Sequence, residues 1–353
     1  MPSKADETML AEILNQPRAW EATLEIVQSQ GARLQELAEG VDEIVFTGCG
    51  SGLNAAVGIA PCFQKVTGVR ARAVPAAEIV FYPETVFDRR GHYLLVSISR
   101  SGSTTEVVNA QQAVGERGHT TIAVTCYAGS PLAREADAAL VLEPANEASV
   151  TTTQSLTSMI LCGQMMAGIV GGDEEYLDQL GQLPAMGRDL IKPAHELGRR
   201  IAQEADISRF AFVASGPLRG LAREAQLKVK EMVRAPSDFY PLLDFRHGPK
   251  SNVNERMLIT LLSGDATRRV EVEFAEEMKG LGGKLFVICD DAGAELAALS
   301  DYLFELASGL PDFARPILQI LPLHFLAYYR SLAEGLSPAE PANLTYWVET
   351  MRI

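Results

Sequence analysis

Basic side chains are in short supply in this sequence: 31 lysines and arginines stand against 45 aspartates and glutamates in 353 residues, a formal net charge of −14 at pH 7. A surface of that sign repels phosphate backbones and anionic headgroups, so neither nucleic acid nor a membrane is expected as a partner. Cysteine is scarce as well. The five residues Cys49, Cys62, Cys126, Cys162 and Cys289 are odd in number, widely spaced and mostly set in apolar segments, with no CxxC pair. Reduced structural thiols are expected, with no metal and no cofactor. Long apolar runs are missing too. The longest, Leu156 to Val170, is interrupted by Thr157, Ser158, Gly163 and Gln164 and falls short of the roughly 20 residues that span a bilayer, so it reads as a buried helix. Residues 1–16 carry Asp6 and Glu7 and show neither an apolar core nor a small-residue cleavage site. No secretory leader is read there, and a cytoplasmic protein is expected.

What is present points to a globular enzyme-sized chain. Hydrophobic residues make up 47% and charged residues 22% of the sequence, and the length exceeds the common domain of about 100–150 residues more than twofold, which predicts two domains. After a helical region over residues 1–40, an apolar strand Glu43–Phe46 runs into the glycine turn Thr47–Gly52 and a helix from Leu53. A second cycle comes next: strand His92–Ser99, a serine turn, and a helix from about Thr104 to Arg117, with Ser103 and Glu106 spaced as a capping box. Strands at Thr121–Thr125 and Ala139–Leu142 continue the alternation that marks a parallel sheet covered on both faces. The segment from about Thr151 to Ala205 reads as helical, broken by Gly171-Gly172, Pro184 and Pro193. The cycle then restarts with strand Phe210–Ala214, a long helix Gly220–Val233, strands Met257–Leu262, Leu285–Cys289 and Tyr302–Leu306, and helices beginning near Arg269 and Pro316. An internally duplicated α/β chain is expected, with a first domain at 41–180, a second at 195–340, and a docked aromatic tail at 341–353.

In a parallel sheet, ligands bind where strand ends lead into helix N-termini. The segment Ser99-Arg100-Ser101-Gly102-Ser103-Thr104 places four hydroxyls, one glycine and one guanidinium at such a point, which suits a phosphate monoester. The turn Gly48-Cys49-Gly50-Ser51-Gly52 is less specific. It spells neither GxGxxG, nor Walker A, nor GxSxG, and Cys49 reads as a small packing residue rather than a nucleophile.

Taken in chain order, several blocks resemble the tandem sugar isomerase (SIS) domain proteins. They are Met9-Leu10-Ala11-Glu12-Ile13-Leu14-Asn15-Gln16-Pro17, Ser99–Thr104, Glu147-Ala148-Ser149-Val150-Thr151-Thr152-Thr153 and Arg246-His247-Gly248-Pro249, set in the doubled α/β unit. The resemblance runs from about Met9 to Val348 and extends to the isomerase half of glutamine–fructose-6-phosphate aminotransferases. It implies two tandem SIS domains, each a flavodoxin-like three-layer sandwich of a parallel sheet flanked by helices. Matched residue by residue, the family's phosphate cradle falls on Ser99, Arg100, Ser101 and Thr104, helped by Ser51, and its sugar lining on Val150 and Thr152. Its base falls on Glu231, within Leu227-Lys228-Val229-Lys230-Glu231, and its ring-opening histidine on His247, sixteen residues further on. In such relatives that histidine reaches the neighbouring subunit's site, which implies a homodimer or higher homo-oligomer with a shared active site and a sugar-phosphate substrate. The chemistry suits these types: shifting a proton between C1 and C2 of an open-chain sugar needs a buried carboxylate and a group that moves protons near pH 7. Read without the family, Glu231 could be a solvated helix residue paired with Lys228 or Lys230, and His247 could cap the loop before Gly248-Pro249. His92, His119, His195 and His324 have no motif around them and read as structural or surface residues.

Two departures shape the expected activity. The aminotransferases begin with a glutaminase domain, whereas this chain starts Met1-Pro2 and enters the SIS region directly, so ammonia release from glutamine is not expected. The family's Asn-Leu-Ala-Lys, whose lysine forms an imine with the ketose, stands here as Asn343-Leu344-Thr345-Tyr346, and no lysine occurs after Lys284. A lysine imine serves a substrate that lacks nitrogen; one that already carries an amine does not need it. The expected function is therefore a phosphosugar isomerase-type deaminase or deglycase, acting on a phosphorylated amino sugar or fructosamine. Tyr346 would wall the pocket or donate to the sugar. A simple aldose–ketose isomerase is the alternative within catalysis. A non-catalytic sugar-phosphate-binding regulator is the alternative outside it, although the net charge of −14 counts against a DNA-reading one. The second unit's counterpart turn, Leu262–Thr267, lacks the paired serines and carries Asp265, so one phosphate site per chain is expected.

Overall fold

Among the described residues, short runs rich in aliphatic and β-branched residues form ten strands that all pair in parallel. The computed structural model describes residues 2–88 and 90–348. Two units emerge: Leu14–Pro184 with the described tail from Asn343, and the residues up to Ile13 with Ala185–Ala342. Residues 349–353 of the expected tail lie outside the described residues. Among the described residues no helix is long and apolar enough to cross a membrane.

The first sheet contains β1 (Glu43–Gly48), β2 (Arg70–Pro75), β3 (Tyr93–Ile98), β4 (Thr120–Thr125) and β5 (Ala138–Val141), in the order β2-β1-β3-β4-β5. The second contains β6 (Arg209–Ala214), β7 (Ser237–Pro241), β8 (Met257–Leu262), β9 (Lys284–Cys289) and β10 (Tyr302–Glu305), in the order β7-β6-β8-β9-β10. The two orders are the same, so the duplication read in the sequence is a duplication of topology. In each, the order reverses beside the first strand, which opens a crevice at the carboxyl ends of β1 and β3 and of β6 and β8. Central strands such as β3 and β8 are buried along their whole length. Helices cover both faces, and Val45, Leu95 and Ala123 of the first sheet pack against Val107, Ala110 and Val114 of the helix Thr105–Gly115.

The sequence reading missed β2 and β7. Both are edge strands; Arg70 and Arg72 in one and Asp238 and Pro241 in the other break the apolar pattern that marks a covered strand. The expected helix Gly220–Val233 is instead an α-helix Arg219–Lys228 continued by a π turn, Val229–Val233. Pro184 and Pro193 do not break a helix either, because Glu174–Ala202 runs through both. Each proline removes one main-chain bond, and the buried Leu180, Leu183, Ala194, Leu197 and Ile201 hold the helix around them.

Close approach of backbones sets the first crevice. Gly52, in the first turn of the helix Ser51–Thr67, lies so near the end of β3 that a Cβ there would meet the Ile98 carbonyl oxygen at 2.5 Å. Gly115, at the end of Thr105–Gly115, has open space instead. Gly52→Ala is therefore expected to destabilise by ~1–3 kcal/mol through overpacking. Gly115→Ala should be neutral or stabilising by up to ~1 kcal/mol. Paired chemical denaturation of the two variants checks the contrast.

Candidate active site

The turn after β3 is tightly wound. Ser99 N donates to Val124 O at 3.0 Å, Gly102 N to Ser99 O at 3.1 Å, and Gly102 takes a positive φ of 60°. A Cβ at Gly102 would meet Thr125 Oγ1 at 2.8 Å and crowd Ser130, so only glycine fits. Ser99 Oγ and Thr104 Oγ1 lie 3.1 Å apart and share a hydrogen bond, and Ser101 Oγ accepts from Ser103 N at 3.2 Å. Hydroxyls thus ring the start of the helix Thr105–Gly115, where the helix dipole favours an anion. The capping box does not form: Thr104 is the N-cap and its side chain makes no capping bond to the helix, and Ser103 Oγ donates to Ser101 O instead. Ser51 opens the neighbouring helix just after Gly50, which also has a positive φ.

Arg100 is turned inward. Its guanidinium donates to Ser149 O at 2.8 Å, Val150 O at 2.9 Å and Tyr346 O at 3.1 Å, and lies 3.8 Å from the centre of the Tyr346 ring. The fork serves as a strut between three chain segments. Behind it stands Glu147, fully buried, whose carboxylate accepts from Thr153 N, Thr153 Oγ1, Gln154 N and Ser155 Oγ and so closes the start of the helix Gln154–Gly171. The loop carrying Val150 and Thr152 is fixed between these two charges, which lie 3.9 Å apart. Thr152 Oγ1 is buried without a hydrogen-bond partner among the described residues.

Tyr346 belongs to this unit. Its hydroxyl donates to Glu147 O at 2.5 Å and lies 3.1 Å from Asn146 Oδ1 and 3.0 Å from the Tyr127 hydroxyl. Burial pushes the phenol well above its ordinary pKa. The ring therefore packs under the Arg100 guanidinium, with its hydroxyl already committed to the Glu147 carbonyl. Burial, with the charge of Glu106, lifts the Cys49 thiol to about 11, which keeps it protonated near neutral pH and unsuited to nucleophilic attack.

The other candidates lie in the second unit. Glu231 sits on the π turn Val229–Val233 with its side chain 19% exposed. Lys228 Nζ, fully buried, lies 2.6 Å from Glu231 Oε2 and 3.2 Å from Glu224 Oε1, so one ammonium bridges two carboxylates. Burial opposes the lysine's charge, but Glu231 and Glu224 outweigh it and hold the pKa above its ordinary value. His247 is exposed, on the short turn after Asp244–Arg246, with its amide donating to Asp244 O. His324 proves wholly buried. Sequence reasoning missed Glu224 and Glu147; the spacing Glu224, Lys228, Glu231 on one helical face was the available signal for the former.

The turn after β8 has a different occupant. Glu271 accepts from Ser263 Oγ at 2.5 Å, Gly264 N at 3.0 Å and Thr267 Oγ1 at 2.6 Å. The protein's own carboxylate takes the place an external anion would fill. Burial lifts this carboxyl above the usual carboxylate range, against those three donors.

Comparison with known proteins fits this geometry to a family. The SIS domain family model matches residues 39–168 and 205–329. Glutamine–fructose-6-phosphate aminotransferase from Aliivibrio fischeri is 25% identical over 356 residues, covering 95% of this chain and 58% of that protein. The Methanothermobacter thermautotrophicus enzyme of the same name is 26% identical over 340 residues, covering 96% and 57%. The chain thus spans under three fifths of these relatives. Glucosamine-6-phosphate deaminase from Thermotoga maritima has a similar structure, with a TM-score of 0.74 and 26% identity over 93% of this chain and 99% of that one. The tagatose-6-phosphate ketose/aldose isomerase of Escherichia coli shares the fold, with a TM-score of 0.86 at 22% identity, covering 97% of each chain.

With one open hydroxyl ring and one occupied by Glu271, a single inorganic phosphate per chain is expected by calorimetry. At about tenfold its dissociation constant it should raise the melting temperature by roughly 1–4 °C. Joint replacement Ser99→Ala and Ser101→Ala should abolish that rise.

Proposed function

The chain belongs to the sugar isomerase (SIS) domain family, and from that membership we propose that it is a phosphosugar isomerase-type enzyme that releases an amine from a phosphorylated amino sugar or fructosamine. The observation that carries this reading is at position 346. A tyrosine stands where the aminotransferases that this chain resembles carry an imine-forming lysine, and its hydroxyl is bonded to Glu147 O. The similarity to a glucosamine-6-phosphate deaminase over nearly the whole chain supports it.

In this reading the hydroxyls of Ser51, Ser99, Ser101 and Thr104 and the dipole of Thr105–Gly115 hold the phosphate. Val150 and Thr152 line the sugar, and Arg100 and Tyr346 keep that lining in place. His247 protonates the ring oxygen as the ring opens, and Glu231 carries the proton between carbons. For a 2-amino aldose, Glu231 takes the C2 proton and returns it to C1 through an enolamine; water then hydrolyses the C2 imine to a ketose phosphate and ammonia. For a 1-amino ketose the proton moves from C1 to C2, and hydrolysis of the C1 imine gives an aldose phosphate and the free amine. No proton or electron is left over in either direction. The ion pair with Lys228 orients the Glu231 carboxylate for both transfers.

Incubation with glucosamine 6-phosphate and with fructosamine 6-phosphates should release ammonia or amine. Glu231→Gln should lower kcat by about 10²–10⁴-fold while leaving phosphate binding unchanged. Turnover of nitrogen-free hexose phosphates alone would instead identify a simple aldose–ketose isomerase. Normal sugar-phosphate binding with no rate to lose would identify a regulator.

We also propose a homodimer in which His247 serves the neighbouring subunit. Glu231→Gln and His247→Ala chains, each inactive alone, should recover about a quarter of wild-type activity when randomly mixed, because half the dimers are mixed and each then has one intact site. No recovery after verified subunit exchange would place His247 in its own subunit's site.

A further inference from the structure

A wholly buried histidine within reach of the charge of a wholly buried lysine is expensive for a fold to keep, and nothing so far gives it a task. His324 lies on the helix Leu321–Ala333, which packs on the π turn Val229–Val233 and on the helix Arg219–Lys228. It is 1% exposed, and neither ring nitrogen has a hydrogen-bond partner among the described residues. Burial and then the charge of Lys228 push its pKa down to about 3. The imidazole is therefore neutral at working pH and has one nitrogen with an unshared pair. Of the other ionisable groups on the packed elements, Arg219 and Lys230 are exposed. Glu224 and Glu231 hold Lys228, Arg330 donates to the Ala202, Glu204 and Ile207 carbonyls, His195 bonds the Tyr329 hydroxyl, and the charge of Arg199 acts on Tyr329.

An ammonium has three protons, and the two carboxylates take two of them. When Glu231 accepts a proton from the sugar, it ceases to be an anion, and Lys228 loses its shortest ionic contact while still buried. We propose that His324 is a positioning residue that accepts a hydrogen bond from Lys228 during the half of the cycle in which Glu231 is protonated. The imidazole keeps the ammonium in place, makes the protonated form of Glu231 less costly, and so makes Glu231 a better base. Only the substrate's proton moves; Lys228 stays charged and His324 stays neutral. This rests on the proposed role of Glu231, but its test needs no turnover.

The test is carboxyl NMR of Glu231 in the ligand-free protein, in wild type, His324→Leu and His324→Gln. Loss of the acceptor removes a stabiliser of the protonated state, so His324→Leu should move the Glu231 titration midpoint down by about 0.5–1 pH unit. His324→Gln, which can still accept, should restore most of it. With substrate, kcat should fall about three- to tenfold in the leucine variant with KM unchanged. In Glu231→Gln, which mimics the protonated base, the His324 ring nitrogen resonances should shift relative to wild type. Identical midpoints in the three proteins, with only a lower melting temperature in the variants, would reduce His324 to a space filler. If His324→Leu does not fold, unchanged imidazole resonances in Glu231→Gln overturn the proposal alone. Absence of any amine release with a shifted midpoint would sink the amine-releasing reading and leave only the coupling of His324 to the protonation of Glu231.

Discussion

The first crevice is organised by a guanidinium whose donors face the protein. Arg100 joins the turn after β3, the loop at Ser149-Val150 and the tail at Tyr346 through three carbonyl oxygens. Hydrogen bonds from a charged donor contribute about 1.5–3 kcal/mol each. Planar fork geometry lets one side chain fix three segments that share no secondary structure. Remove it and each of those carbonyls loses a partner, the Ser149 one in a buried setting and the other two in a partly buried one. Glu147 performs the reciprocal service for amides and hydroxyls of Thr153, Gln154 and Ser155. Two opposite charges behind the turn thus set the backbone on which its hydroxyls stand.

How much of this was legible depended on the range of the interaction. Strands β1, β3, β4, β6, β8 and β9 read clearly because a parallel strand covered on both faces must be apolar along its length. β2 and β7 did not, since an edge tolerates Arg70, Arg72 and Pro241. The serine turn was visible because its glycine and hydroxyls are consecutive. The strut was invisible for the opposite reason: Arg100 and Tyr346 are 246 positions apart, and no periodicity links them. The capping box failed for a local reason. Thr104 already begins the helix, which leaves Ser103 one position too early to cap it.

Duplication gave the chain two crevices of one topology and two different interiors. In the first, hydroxyls at the end of β3 bond to one another across the turn. In the second, Glu271 has settled among the equivalent hydroxyls and amide. An internal carboxylate satisfies those donors without a ligand. Its unit instead presents a chain of charges, Glu224, Lys228 and Glu231, one turn of helix apart.

The π turn has a consequence for how this family member can change. Five residues from Val229 to Val233 occupy the wider coil, closed by Arg234 with a positive φ. Loss of one residue would return the segment to ordinary helical pitch and swing the chain beyond it by about 100°. The next element is β7, locked to β6 from Phe210↔Ser237 to Ala214↔Pro241. Divergence across this stretch is thus restricted to exchanging one amino acid for another, while insertions and deletions are closed to it.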